Sequence, residues 1–142
     1  MKLYGFWRSL ATYRVRVALG LKGVAAQEIS VDILKGGQFS EEYKALNPQS
    51  VVPALVLEDG APPLFQSLAI LEYLEETQPQ PALLPQDARG RARVRGLALI
   101  AATSYFNCDT SKVPTTLRIY GECMKLPAFE RAHPSQQPEA PK

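Results

Sequence analysis

Two short segments carry the residue types and turns that could bind a small anionic peptide. Gln66 and Ser67 directly precede the amphipathic stretch 68–76, so the serine is placed to cap the N-terminus of a helix. The N–H groups at a helix start, together with the helix dipole, attract a carboxylate. In the second segment, Pro53 ends an apolar run, and a cis proline there would turn the Val52 backbone toward an extended peptide. The alternative interpretation is a capped helix after a turn, without a ligand.

Apolar periodicity and turn residues predict the elements that position these segments. Helices are expected over 12–22, closed by Gly23, in a short stretch after Ser40, and from Ser67 onward. Strands are expected over 2–6, 26–33, 54–57 and near 64–65. The order β-α-β-α-β-β-α implies a parallel right-handed crossover first and an antiparallel hairpin later. The sequence therefore predicts an α/β fold, a small mixed sheet with helices on its faces, in a thioredoxin-like arrangement.

The second half of the chain is predicted to be a shortened all-α region. A proline-rich stretch marks a linker at 81–88, which separates a domain at 1–80 from a helical C-terminal region at 89–142. Helices are expected from Arg89 to Phe106 and from Pro114 to Leu126. The polar, proline-rich residues 134–142 are expected to form a loose tail.

Composition argues against several classes of function. The net charge of +2 is too small to indicate a nucleic acid or a strongly acidic partner. Cys108 and Cys123 lie far apart, outside any CxxC or His/Cys cluster, which argues against a metal site or a dithiol site. The N-terminus lacks the apolar region of a signal peptide, and no apolar run is long enough to cross a bilayer. We therefore expect a cytoplasmic protein without a metal, nucleic-acid or membrane partner.

The chain resembles the zeta class of glutathione transferases, which includes maleylacetoacetate isomerase and its maleylpyruvate relatives. The matching segments are Trp7-Arg8-Ser9, Tyr13-Arg14-Val15-Arg16-Val17-Ala18-Leu19, Leu21-Lys22-Gly23, Asn47-Pro48, Val52-Pro53, Gln66-Ser67-Leu68-Ala69-Ile70 and Leu83-Leu84-Pro85. Leu126-Pro127-Ala128-Phe129 and Ala132-His133-Pro134 also resemble the C-terminus of that family. Between these parts, most of the helical bundle that follows the linker in the family is absent here.

By this resemblance the ligand would be glutathione, a γ-glutamyl peptide with two carboxylates and a thiol. Gln66 and Ser67 would hold the γ-glutamyl carboxylate with side-chain and backbone donors. Val52, preceding a cis proline, would pair its backbone with the cysteinyl unit as an added strand. Gln38 stands where the family places a residue near the glycyl end.

The resemblance also assigns the catalytic residue. Ser9 matches the first serine of the family's Ser-Ser-Cys-type motif, and its hydroxyl could donate to the glutathione sulfur and favour the thiolate. A helix-capping serine without chemistry is the alternative. The other two motif positions are Leu10 and Ala11, neither of which can act as a polar group, although Ala11 is still expected to line the cofactor site. Arg14 could assist there, or it could form a structural ion pair, as could Arg16.

The implied function is a glutathione-dependent cis–trans isomerase of maleyl-type diacids such as maleylacetoacetate or maleylpyruvate. Two alternatives stay open: a transferase that conjugates glutathione to small electrophiles, and a truncated remnant that binds glutathione with little turnover. The shortened bundle is expected to leave apolar faces of the first and third helices uncovered, with Val15, Leu19, Leu71 and Leu74 as candidates. A homodimer that covers these faces is therefore expected.

Overall fold

A computed structural model describes residues 1–103 and 114–141 of the chain. Its first part contains four strands and three α-helices, in the order β1 (Lys2–Gly5), α1 (Leu10–Lys22), β2 (Gln27–Ser30), α2 (Glu41–Leu46), β3 (Ala54–Val56), β4 (Leu64–Phe65) and α3 (Ser67–Thr77). Two short 3₁₀ helices, Ile33–Lys35 and Gly37–Phe39, connect β2 to α2. The predicted order of elements is confirmed.

The strands form one mixed sheet in the order β2-β1-β3-β4. β1 and β2 are parallel, whereas β3 is antiparallel to both β1 and β4, as the crossover and the hairpin predicted. β2 is shorter than the predicted strand at 26–33. It ends because the Asp32 carboxylate accepts hydrogen bonds from the N–H groups of Leu34 (3.0 Å) and Lys35 (3.3 Å), which turns the chain into a 3₁₀ helix.

Local side chains fix both ends of α1. Ser9 is the N-cap, and its Oγ accepts a hydrogen bond from the Thr12 N–H at 3.2 Å. Because of this cap the helix starts at Leu10, two residues before the predicted start. Gly23 closes the helix with a left-handed backbone at φ 67°, as predicted for a C-cap glycine.

The hydrophobic core lies between the sheet and the paired helices α1 and α3. Its buried members are Leu3, Val15, Ala18, Leu19, Leu55, Ile70 and Leu74. Successive residues of a strand point to opposite faces of a sheet, so Ala54 contributes to a smaller cluster with Val31 and Tyr43 on the side of α2. The sheet is thus covered on both faces.

The second part of the described chain is helical. It comprises α4 (Ala88–Thr103), α5 (Pro114–Cys123), α6 (Pro127–Ala132) and a 3₁₀ helix at Pro134–Gln136. The helix predicted from Arg89 to Phe106 is α4 as far as Thr103, and the rest of that prediction lies outside the described residues. The helix predicted from Pro114 ends at Cys123 rather than at Leu126. The domain boundary at 81–88 stays a prediction.

The C-terminal residues are ordered against the body of the protein, so the predicted loose tail is wrong for its first residues. α6 packs on α1, and its Ala128 and Ala132 are buried. The buried Gln137 side chain donates hydrogen bonds to the carbonyl oxygens of Arg131 (3.0 Å) and His133 (3.1 Å). These bonds hold Gln137 against the C-terminal end of α6.

The prediction that α1 and α3 keep uncovered apolar faces is also wrong. Val15, Leu19 and Leu74 are only 0%, 5% and 1% exposed, and Leu71 is partly buried. The two helices pack on each other, and α6 covers α1 from outside. Among the described helices, none combines the length and the apolar character that crossing a bilayer requires.

Candidate functional site

The start of α1, the start of α3 and the turn before β3 lie at one edge of the sheet. Ala54, the first residue of β3, is opposite residues near the ends of both β1 and β4. One step further along these antiparallel ladders, Gly5, Pro53 and Gln66 are neighbours. The segments singled out in the sequence are therefore brought together by the strand register.

The turn before β3 contains the predicted cis peptide bond, between Val52 and Pro53. Buried hydrogen bonds hold the residue in front of it: the Val51 carbonyl oxygen accepts from the Tyr43 hydroxyl and from the Asn47 amide, each at 2.7 Å. Burial raises the pKa of Tyr43 to about 12, against the lowering effect of its hydrogen bond with Asn47, so the hydroxyl stays protonated and remains a donor. Val52 thus lies on a supported turn, outside the β3 ladder, which begins at Ala54.

The start of α3 differs from the prediction by one residue. Gln66, not Ser67, occupies the N-cap position, and it makes no side-chain capping bond. Its backbone has φ 67° and ψ 110°, a left-handed-side conformation that is unusual for a residue with a Cβ and is found preferentially at ligand sites. The side-chain amide of Gln66 donates a hydrogen bond from Nε2 to Gln49 Oε1 at 2.7 Å. Ser67 is the first helical residue.

The Ser67 hydroxyl accepts hydrogen bonds from Arg14 across the gap between α1 and α3. Arg14 Nε lies 3.3 Å and Nη2 3.0 Å from Ser67 Oγ. Partial burial lowers the pKa of Arg14. Arg16 instead forms the structural ion pair left open in the sequence, with Glu28 at 2.8 Å, and it donates a hydrogen bond to the Trp7 carbonyl oxygen at 3.2 Å. The two arginines of α1 therefore have different surroundings.

Ser9 lies at the N-terminus of α1, where its Oγ accepts from Thr12 N–H. The capping alternative is thus what the contacts show. A serine hydroxyl has one donor and two acceptor positions, so the cap still leaves its proton for a ligand. The N–H groups of Leu10 and Ala11 belong to the first turn, where a helix offers them no intrahelical carbonyl. The catalytic role of Ser9 and the lining role of Ala11 stay predictions.

Gln38 lies in the 3₁₀ helix Gly37–Phe39 between β2 and α2. Its Oε1 atom is buried and has no hydrogen-bond partner within the part of the chain that the structure describes. A buried acceptor without a donor is unfavourable by about 1–3 kcal/mol, which makes it a candidate for a bond to a ligand.

Sequence reasoning missed the residues that support the site. Asn47 and Tyr43 hold the turn before the cis proline, and Gln49 contacts Gln66. Asn47 stands directly before Pro48, and an asparagine at such a turn often bonds to nearby backbone, so this signal was available. Nothing in the local sequence distinguishes Gln49.

Comparisons with known proteins identify the family that shares this arrangement. The model of the glutathione S-transferase N-terminal domain matches residues 1–76. Maleylpyruvate isomerase of a Ralstonia species is 48% identical over 118 residues, which cover 83% of this chain and 55% of that protein. Maleylacetoacetate isomerase of Pseudomonas aeruginosa is 46% identical over 123 residues, 85% of this chain and 58% of that protein. The chain thus spans about half the length of these curated relatives.

Longer alignments extend to the C-terminal residues. Probable maleylacetoacetate isomerase 2 of Drosophila melanogaster is 30% identical over 206 residues, covering 98% of this chain and 90% of that protein. The aligned length exceeds the 142 residues present here, so the alignment opens gaps in this chain. A solved structure of maleylacetoacetate isomerase from Methylobacterium extorquens AM1, with bound malonate and glutathione, superimposes on this chain with a TM-score of 0.90. The two chains are 34% identical, and the match covers 100% of each.

Proposed function

Because this chain belongs to the zeta class of the glutathione S-transferase family, we propose that it binds glutathione and catalyses the cis–trans isomerisation of a maleyl-type diacid. The observation that carries the proposal is the meeting of three features at one sheet edge: the start of α1, the start of α3 and the cis Val52–Pro53 turn. Maleylpyruvate and maleylacetoacetate, named in the relatives, define the substrate class.

Glutathione fits the polar groups at this edge. Gln66 and Ser67 would hold its γ-glutamyl carboxylate at the positive end of the α3 dipole. The Val52 backbone would pair with the cysteinyl unit in the manner of an added strand. The orphaned Gln38 Oε1 supports the fit, because it requires a donor and the glycyl unit of glutathione carries an amide N–H.

Ser9 would act on the sulfur. Its hydroxyl donates to the sulfur at the N-terminus of α1, where the helix dipole also favours a negative charge, so the pKa of the bound thiol falls. The backbone N–H groups of Leu10 and Ala11 add to this positive end. Glutathione supplies a thiolate that can add to an activated double bond and leave it again, which permits rotation about that bond.

Incubation of the protein with glutathione and maleylacetoacetate or maleylpyruvate tests the proposal. We expect isomerisation that depends on glutathione and falls in the Ser9→Ala variant, together with a raised pKa of the bound thiol. Glutathione binding without isomerisation would instead support the remnant alternative. Turnover of a small aromatic electrophile alone would support the transferase alternative. A chain that does not bind glutathione would overturn the proposal.

We also propose that the chain acts in the cytoplasm as a homodimer. The apolar residues of α1 and α3 do not supply the interface, because they are buried or partly buried within one chain. Support comes instead from α4, where Leu97 and Leu99 are 60% and 56% exposed. Light scattering at micromolar concentration should report twice the chain mass of 15.6 kDa; a monomer of that mass would refute the dimer.

A further inference from the structure

We propose that Arg14 is a positioning residue for a carboxylate at the start of α3, and that it does not act on the sulfur. This inference rests on the proposed function, since the carboxylate in question is the α-carboxylate of the γ-glutamyl unit. Arg14 orients the Ser67 hydroxyl and places a positive charge behind it. The sequence had left a role near the thiolate and an ion pair as the alternatives for this residue.

The hydrogen bonds define which way the Ser67 hydroxyl faces. Arg14 donates to Ser67 Oγ from both Nε and Nη2, at 3.3 Å and 3.0 Å. A serine oxygen has two acceptor positions and one donor position, so these bonds occupy its acceptor side. The hydroxyl proton is therefore directed away from Arg14. It is available to a ligand oxygen at the N-terminus of α3.

The electrostatics of this contact favour an anion. The N-terminus of a helix carries a partial positive charge, so a cation is unfavourable there and favourable at a C-terminus. Lys22, in the last turn of α1, follows that rule. Arg14 adds a positive charge at the opposite end of a helix, because its guanidinium bonds to the first residue of α3. A carboxylate bound to Ser67 would be attracted by both positive groups.

Geometry separates Arg14 from the sulfur position. Ser9 precedes Arg14 by five residues on the same helix, which corresponds to about 7 Å along the helix axis at a rise of 1.5 Å per residue. The Arg14 side chain crosses from α1 to α3 and ends at Ser67. Its charge is therefore held at the carboxylate end of the site, and Ser9 is left at the sulfur end.

Two ligands that differ by one group test the inference. Calorimetry would compare glutathione with γ-aminobutyryl-cysteinyl-glycine, which lacks only the α-carboxylate. In the Arg14→Met variant we expect glutathione affinity to fall by about ten- to a hundredfold, the range for a lost charge-assisted contact, and the affinity of the analogue to change less than about threefold. The pKa of the bound glutathione thiol should be the same in the variant and in the wild type.

The remaining outcomes separate the inference from its alternatives. Equal losses for both ligands would show that Arg14 only ties α1 to α3, and a raised thiol pKa would place it at the sulfur; either result would overturn the inference. If Arg14→Met does not fold, Arg14→Lys carries the same test, and its loss must again be confined to glutathione. Arg16→Met is the matched control on the same helix, and it should not discriminate between the ligands. A wild type that binds neither ligand would refute the proposed function itself.

Discussion

The helices α1 and α3 lie side by side against the sheet, but their outer surfaces are covered in different ways. On α1, α6 packs directly, with Tyr13 in edge contact with the rings of Phe129 and His133 at centroid distances of 6.4 and 6.3 Å. Between α3 and α4 there is instead an open cleft of about 560 Å³. Its lining includes the apolar residues Leu68, Leu71, Val94 and Ala98.

The difference shows two ways of attaching a helix. Small residues at the α1–α6 contact let the helices approach closely: a Cβ atom on Gly20 would lie 3.2 Å from the Cβ of Ala128. α4 is held by charged contacts, a pair between Arg95 and Glu72 and a buried ammonium that fixes the preceding linker. Packing leaves a cleft of about 270 Å³ between α1 and α6, whereas the cleft between α3 and α4 has about twice that volume, 560 Å³.

Removing the buried ammonium should have the largest effect. Lys22 Nζ is fully buried and donates to Glu75 Oε2 (2.6 Å), to the Gln78 carbonyl oxygen (2.6 Å) and to the Pro81 carbonyl oxygen (2.8 Å). Lys22→Met would leave the Glu75 carboxylate buried without its cation, so we expect the free energy of unfolding to fall by about 3–5 kcal/mol. Urea unfolding of the wild type and the variant measures this difference in free energy.

The control for that experiment also removes the Glu75 carboxylate, which would otherwise lack its cation. Lys22→Met combined with Glu75→Leu should recover part of the lost stability, because no buried ion then lacks its partner. A loss below about 1 kcal/mol in the single variant would mean that the linker does not depend on this ion pair.

Acid should loosen the same linker. Burial alone would raise the pKa of Glu75, but hydrogen bonds from the Lys22 ammonium and from the N–H groups of Leu83 and Leu84 outweigh it and hold the pKa below 4.5. A carboxyl group with a lowered folded pKa stabilises the fold above its unfolded pKa, and this contribution is lost as the pH falls through the folded value. We expect the stability of the wild type to fall more steeply below pH 4.5 than that of Glu75→Gln. Parallel curves in urea titrations across this range would contradict the assignment.

A larger side chain at Gly20 should weaken the contact between α1 and α6. Gly20→Val would push Ala128 away, and we expect a loss of about 1–3 kcal/mol, as is typical of overpacking, with faster hydrogen exchange in α6. Gly96 in α4 is the matched control, because among the described residues no atom beyond the adjoining backbone of α4 lies within 4 Å of a Cβ placed there. Gly96→Val should be neutral or slightly stabilising, since most residues favour a helix more than glycine does. Equal losses at both positions would show that helix propensity, not the α6 contact, determines the effect.

The same contrast separates what the sequence could predict from what it could not. Local rules identified the C-terminal end of α1, since Gly23 acts on backbone groups within a few residues of itself, whereas the N-terminal end was predicted two residues too late. They also identified the cis bond at Pro53. The covering of α1 by α6 depends on Tyr13 meeting Phe129, a contact between distant parts of the chain with no local signal. The Arg14 bond to Ser67 is long-range as well, and no local rule predicts it.

Breaking the pair between α3 and α4 should have the smallest effect on stability. Arg95 Nε lies 2.8 Å from Glu72 Oε1, and the hydrogen bond from Arg95 lowers the pKa of Glu72. Both side chains reach solvent, with 43% and 33% exposure, so water and salt screen their attraction. Arg95→Met should therefore leave the urea midpoint nearly unchanged, while hydrogen exchange in α4 becomes faster because α4 loses its ion pair with α3. Raising the salt concentration should reproduce that exchange pattern in the wild type. A large fall in the midpoint would instead show that α4 is coupled to the core as strongly as α6, and the contrast between the two surfaces would not hold.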